Sequence, residues 1–234
     1  GRATGYSKGK GGSMHMFSKE KNFFGGHGIV AAQVSIGAGL GFANKYRENG
    51  NVSFTYFGDG AANQGQVYET FNMASLWKLP VVFIIENNHY AMGTSIEKAS
   101  STEVLHTRGV AFNIPGEIVD GMDIIAVKNA ARKAALHARS GNGPYILEMN
   151  TYRYRGHSMS DPAKYRSREE VQKVRSEKDP IENLQEILTS DFEINENTLK
   201  EIDRDIKKLI SDSAEYAINS PEPSKEELWT DVYV

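Results

Sequence analysis

Apolar positions follow two rhythms that alternate along the chain. Residues 52–57, 81–85 and 144–149, and the shorter pair Ile118-Val119, are nearly unbroken apolar runs. They have the length and the β-branched or aromatic content of buried strands. Between them lie stretches with helical spacing. Residues 29–46 combine small and apolar positions with Gly37, Gly39 and Gly41, residues 66–79 suit a crossover helix, and residues 123–140 are Ala-rich and amphipathic. The glycines lower helix propensity in 29–46, so close packing against another backbone is the expected reason for them. Strands alternating with helices predict an α/β fold, a doubly wound and mostly parallel sheet with helices on both faces.

The ends of the chain break this rhythm. Residues 1–28 are rich in glycine and lysine and read as loop. Residues 153–168 form a long polar loop, and 169–234 read as a helical C-terminal part with a tail. Helices are expected over 169–176 and 180–188. A longer one starts near Thr198, where Thr198 and Glu201 have the spacing of a capping box. Leu199, Ile202, Ile206, Leu209, Ile210 and Ala217 fall on one stripe of it. The tail 222–234, with Trp229 and Tyr233, is a candidate interface strip. No repeat appears, and the expectation is a single domain over 1–234. The chain opens on Gly1 inside a glycine-rich segment and reads as a piece of a longer protein.

Bulk properties exclude several classes. At 234 residues the chain can bury a substantial core. A net charge of −3 provides no general field for nucleic acid or an anionic membrane, and no apolar run has the length of a membrane span. Without cysteine there is no disulfide, thiolate metal site or cysteine nucleophile.

The chemistry concentrates where two strands end. Gly58-Asp59-Gly60 follows the first apolar run and Asn87-Asn88 follows the second, with 29 positions from Asp59 to Asn88. Parallel neighbours joined by one helix bring both carboxyl ends to one edge of the sheet, where such folds bind ligands. Asp59 and Asn88 supply hard oxygen atoms of the kind Mg²⁺ prefers. Gly60 and Ala61 open the segment leading to the helix, where backbone N–H groups favour phosphate. Gly58 is read as steric, keeping side chains away from the metal. Asn87 is read as orienting the loop.

This GDG–NN pattern resembles the thiamine-diphosphate signature. The longer match, from Lys8-Gly9-Lys10-Gly11-Gly12-Ser13-Met14-His15-Met16 through Tyr152-Arg153-Tyr154-Arg155-Gly156-His157-Ser158-Met159-Ser160-Asp161-Pro162, resembles alpha subunits of the thiamine-diphosphate-dependent 2-oxo acid dehydrogenases, the pyruvate dehydrogenase component foremost. The resemblance implies Mg²⁺ held by Asp59, Asn88 and the carbonyl of Tyr90. It implies contacts from the main chain at Gly60 and Ala61 to the diphosphate, and carbonyls of Gly28 and Val30 receiving the aminopyrimidine. It places His157 at the diphosphate near the reacting centre and His15 beside the active-site entrance. Arg153, four residues before His157, has the chemistry to pair with phosphate or the substrate carboxylate, a salt bridge to a nearby acid being the alternative.

The activity implied is oxidative decarboxylation of pyruvate with transfer of the acetyl unit to the lipoyl domain of a dihydrolipoyl acetyltransferase. The partner implied is a beta subunit in an α₂β₂ heterotetramer, which carries the glutamate that activates the cofactor. Glu86 and Glu69, the acids nearest the signature, have no claim to that role. The compartment implied is the bacterial cytoplasm or the mitochondrial matrix. Ser158 and Ser95 match positions regulated by phosphorylation in mitochondrial members, whereas Lys164 stands where a third regulated serine is expected. The upstream Tyr-Arg pair that grips the diphosphate in the family is absent from this chain.

Branched-chain 2-oxo acid or acetoin dehydrogenase alpha subunits are the near alternatives, and a catalytically incomplete assembly piece is a further one. A nucleotide-binding module is a different class. Gly37-Ala38-Gly39-Leu40-Gly41 has the wrong spacing for a dinucleotide fingerprint and sits in a helix pattern, and no GxxxxGK[ST] is present.

Overall fold

The computed structural model describes residues 1–232. Contacts group the chain into two compact units, one built from Gly1–Ile29 with Ile187–Val234 and the other from Val30–Glu186, where the sequence reading expects one domain over 1–234.

The second unit contains the sheet. Its elements run α1 (Ala32–Tyr46), β1 (Ser53–Gly58), α2 (Gly65–Leu76), β2 (Val81–Asn87), the two-residue strands β3 (Tyr90–Ala91) and β4 (Thr94–Ser95), the short α3 (Ile96–Ala99), β5 (Gly116–Asp120), α4 (Ile124–His137), β6 (Tyr145–Asn150) and α5 (Arg168–Lys178). α6 (Pro180–Ser190) begins in this unit and ends in the other. The main sheet has the order β1-β2-β6-β5, and every pairing in it is parallel.

Side chains alternate across the sheet with period two, and each face builds its own core. Val81, Phe83 and Ile85 of β2 join Val34, Phe57, Val67 and Phe71 beneath α1 and α2, where the Phe71 and Phe83 rings lie 4.9 Å apart. Val82 and Ile84 join Leu147, Met149, Val119 and Ala134 beneath α4. Burial on both faces is why β2 and β6 read as continuous apolar runs. The edge strand β1 alternates instead, with Ser53, Thr55 and Phe57 buried and Phe54 and Tyr56 exposed.

Two glycines of α1 allow the helix to approach the sheet. A Cβ at Gly37 would lie 1.9 Å from Thr55 Oγ1, and one at Gly41 would lie 2.4 Å from Val81 Cγ2. The expected reason, close approach, is right in kind. What the glycines face, however, is strand side chains, and a Cβ at Gly39 would meet nothing. At α4, Asp123 caps the helix by accepting from the N–H groups of Ile125 and Ala126 at 2.8 and 2.9 Å.

In the first unit, residues 1–29 form turns with a single bridge between Ser18 and Phe23. Its long helix α7 (Glu196–Asn219) starts earlier than the capping box suggests. Asn195 caps it, Oδ1 accepting from Asn197 N at 2.8 Å, which places Thr198 inside the helix. The predicted apolar stripe exists, but Ile202, Ile206, Leu209 and Ile210 are all more than half exposed. The tail forms a short 3₁₀ turn over Lys225–Trp229, and Tyr233 of the candidate interface strip lies outside the described residues. Among the described residues, no helix is long and apolar enough to cross a membrane.

Candidate functional site

The register fixes how the two halves of the signature meet. Gly58 pairs with Glu86 at the ends of β1 and β2, so Asp59 and Asn87-Asn88 leave the sheet side by side at its carboxyl edge. The loops touch beyond that point, because a Cβ on Gly60 would fall 2.5 Å from the Cβ of Ala91. Gly60 is therefore required by the approach of the second loop.

The phosphate-facing helix start expected at Gly60 and Ala61 has a different form. Gly60 caps a single 3₁₀ turn over Ala61–Asn63, and α2 begins only at Gly65, after an extended Gln64. Gly58 is not crowded by this chain. A Cβ there would meet only the Glu86 carbonyl, at 3.9 Å, so open space adjoins the metal candidate.

Asp59 is 5% exposed, and burial holds its carboxyl above the ordinary carboxylate range. The N–H groups of Asp59 and Gly60 and the charges of His89 and Arg153 offset this in part. Arg153 comes from the strand end after β6. Its Nη2 reaches the Tyr90 carbonyl at 3.5 Å, while its Nη1 is buried without a hydrogen-bond partner. A buried cationic donor left unpaired is a costly arrangement in the chain alone, and an anion bound there would relieve it. The oxygen set of Asp59, the Asn88 amide and the Tyr90 carbonyl matches the chemistry of Mg²⁺. No group of three or more His, Cys, Asp or Glu side chains suited to a metal occurs among the described residues. The chemistry of these donors would suit a divalent cation and an anion held beside it.

Asn88 Oδ1 turns back to accept from Tyr90 N at 3.2 Å, and its carbonyl accepts from Arg166 Nη2 at 3.0 Å. Arg166 also donates to the Arg153 carbonyl and lies over the rings of Tyr90, Tyr152 and Tyr165 at 4.8, 4.6 and 5.4 Å. It thus ties the turn after β2 to the polar loop. The sequence reading did not single out Arg166, because an arginine in a polar loop carries no local signal. Tyr152, beneath it, donates to Glu170 at 2.8 Å, and burial with that acceptor pushes its hydroxyl up to about 12.

The loop holding His157 is knotted around Asp161. Its carboxylate accepts from His157 N at 2.7 Å, Ala163 N at 2.9 Å and Tyr165 OH at 2.8 Å, and these donors hold its pKa below the ordinary value. Tyr165 in turn stacks on Tyr90 at 4.8 Å. His157 itself is exposed, and its ring makes no hydrogen bond among the described residues. Ser158 is exposed, with its hydroxyl 3.1 Å from that of Ser160. Ser95 is half-buried and precedes α3. Glu69 and Glu86 are both exposed.

The structure therefore brings Asp59, Gly60, Asn88, Tyr90 and Arg153 to one edge. Val30 lies in the same unit, and its carbonyl accepts from Gln66 Nε2 at 3.0 Å. Gly28 belongs to the other unit, where a Cβ would come within 3.3 Å of His15 Nε2.

A family profile described as the dehydrogenase E1 component matches residues 1–226. The chain is 65% identical over 232 residues to a pyruvate dehydrogenase E1 component subunit alpha of Rhizobium meliloti, covering 99% of this chain and 67% of that protein. It is 57% identical to the protein of that name from Zymomonas mobilis, over 100% of this chain and 66% of the relative. It is 54% identical to a testis-specific mitochondrial form from Rattus norvegicus, over 100% of this chain and 59% of the relative. The chain thus spans about two thirds of the length of its bacterial relatives. On this similarity, and with a parallel α/β fold consistent with it, the chain belongs to the dehydrogenase E1 component family.

Proposed function

We propose that this chain forms the metal and diphosphate half of a thiamine-diphosphate site in the alpha subunit of a pyruvate dehydrogenase. The observation that carries this is the buried Asp59 carboxylate at the edge where Asn88 and Tyr90 emerge, together with Arg153, which bonds the Tyr90 carbonyl and whose Nη1 lacks a partner. Asp59, Asn88 and the Tyr90 carbonyl would hold Mg²⁺, and Arg153 would meet a diphosphate oxygen or the substrate carboxylate. The space beside Gly58 leaves room for the ligand. When bound, thiamine diphosphate supplies the nucleophilic carbon and the electron sink for decarboxylation of a 2-oxo acid. The protein's part is to orient this group, hold its charge and keep the loop around His157 in place.

Pyruvate is the proposed substrate, since the relatives above are named for it. A beta subunit completes the site in this reading, supplying the glutamate that neither Glu69 nor Glu86 replaces. Acetyl transfer to a lipoyl domain follows from the same reading, as does residence in a bacterial cytoplasm or a mitochondrial matrix. Ser158, exposed in the loop knotted by Asp161, is positioned for regulation. A phosphate there adds about −1.5 to −2 charge next to an acidic knot and disorders it. An unchanged intact mass after incubation with a pyruvate dehydrogenase kinase would remove that part of the proposal.

The deciding experiment is calorimetric titration of thiamine diphosphate with and without Mg²⁺ and with and without the beta subunit. Magnesium-dependent binding that Asp59→Ala abolishes supports the reading. Unchanged binding in that variant refutes it.

A further inference from the structure

We infer that Glu148 is a positioning residue for the turn that presents Asn88 and Tyr90, acting through the side chain of Asn87. The inference rests on reading that turn as part of the metal site. Glu148 lies on the central strand β6 and pairs in register with Ile85 of β2; its side chain is 1% exposed. An acid so deeply buried needs partners, and three nitrogen atoms converge on it. Oε1 accepts from Asn87 Nδ2 at 2.8 Å, and Oε2 accepts from His106 N at 2.9 Å, with His106 Nδ1 at 3.1 Å. Asn87, also 1% exposed, passes the arrangement on. Its Oδ1 accepts from His89 N at 3.1 Å, and its backbone carbonyl accepts from Thr151 N.

These bonds form a chain with one sense of direction. The carboxylate accepts at both ends, so Asn87 must turn its NH₂ toward Glu148 and its carbonyl oxygen toward the turn. That oxygen then holds the N–H of His89, a non-glycine residue with φ 65°. Met92 beyond it has φ 55°. Left-handed residues of this kind persist where the surroundings determine them, and here the determining contact begins at Glu148. The residue between Asn87 and His89 is Asn88, and the next is Tyr90. Asn87 is thereby engaged on both ends of its amide, and its role is to aim its neighbours.

Glu148→Gln keeps the shape but reverses one end. Whichever way the new amide lies, its NH₂ faces either Asn87 Nδ2 or the N–H of His106. If Asn87 flips to accommodate it, Asn87 opposes the N–H of His89 instead. Adding Asn87→Asp restores every donor–acceptor match and returns the charge to the pair.

Hydrogen–deuterium exchange on the full chain without cofactor tests this directly. Glu148→Gln is expected to accelerate exchange of amides 88–91 about tenfold more than that of β1 and α4, and the double variant to recover most of the loss. Thiamine diphosphate affinity in the presence of Mg²⁺ and the beta subunit should fall and recover in parallel. Uniform acceleration across the sheet, no acceleration at the turn, or a double variant no better than the single one would overturn the inference. Should Glu148→Gln not fold, Asn87→Ala carries the same test of selective loosening. If the unaltered protein binds no thiamine diphosphate, the metal-site reading fails, whereas exchange still decides what Glu148 holds.

Discussion

Two loops meet at the carboxyl edge of the sheet, and each is organised by one carboxylate in opposite surroundings. The turn after β2 hangs on Glu148, buried in the core and satisfied by Asn87 and His106. The loop after β6 is knotted around Asp161, which lies toward solvent and gathers His157, Ala163 and Tyr165. A buried anchor couples local geometry to the stability of the whole unit, because losing a partner leaves a desolvated group unpaired. A solvated anchor can be broken with water replacing each lost bond. The turn that presents Asn88 and Tyr90 is therefore built as part of the frame. The loop that bears His157 and Ser158 is held at Asp161 by bonds that water can replace.

The frame should show the largest effect. Phe71 fills the core beneath the signature against Phe83 and Phe112, and Phe71→Ala should cost about 3–5 kcal/mol of unfolding free energy by denaturant titration. A loss below about 1 kcal/mol would mean that the core is not what supports this edge. Asn87→Ala comes next. It leaves one Glu148 oxygen and the N–H of His89 without their partner, and should cost about 1–3 kcal/mol in the same measurement. A variant as stable as the parent would break the distinction between the two loops, because it would show that the buried anchor is no more coupled to the fold than the solvated one.

Legibility from sequence follows the same division. Strands and crossover helices were readable because β2 and β6 are buried on both faces, and the register then made Asp59 and Asn88 neighbours. Arg153 was readable as a candidate, but its orphaned Nη1 was not, since that depends on what faces it. Glu148 sits in the run 144–149 that marks a strand, where one acid looks like an ordinary alternation. Its partners, Asn87 and His106, are brought to it only by strand pairing and the chain after α3. The long helix illustrates the converse. Its stripe was correctly read from spacing, but spacing says nothing about whether a face is covered, and α7 has no buried residue.

Acid should separate Asp59 from Asp161. Burial raises Asp59 above its ordinary value of 3.8, so the unfolded chain releases that proton more readily than the folded one. The ionised group thus opposes folding at neutral pH, and the penalty fades as pH falls through the raised value. Asp161 is the reverse: its backbone and tyrosine donors depress its pKa, and the stabilisation they bring is present above 3.8 and lost only as pH falls through the lowered value. Asp59→Asn should therefore raise the Tm of the cofactor-free protein near pH 7, by less than Asn87→Ala lowers it, and abolish metal-dependent binding. The gain should shrink toward pH 4. A Tm that falls at pH 7 would show that the desolvated carboxylate is already compensated within the chain.

The smallest effect belongs to the solvated knot. Tyr165→Phe deletes one donor to Asp161 but retains the ring that stacks on Tyr90, so water can take the vacated place on the carboxylate. Exchange of amides 157–163 should quicken by no more than about tenfold, and the unfolding free energy should stay within about 0.5 kcal/mol of the parent. Coupling to the frame would appear as the opposite pattern, with global stability falling as far as it does for Asn87→Ala. In that event the loop around His157 would be part of the frame, and a phosphate on Ser158 would have to work against the stability of the whole unit to open it.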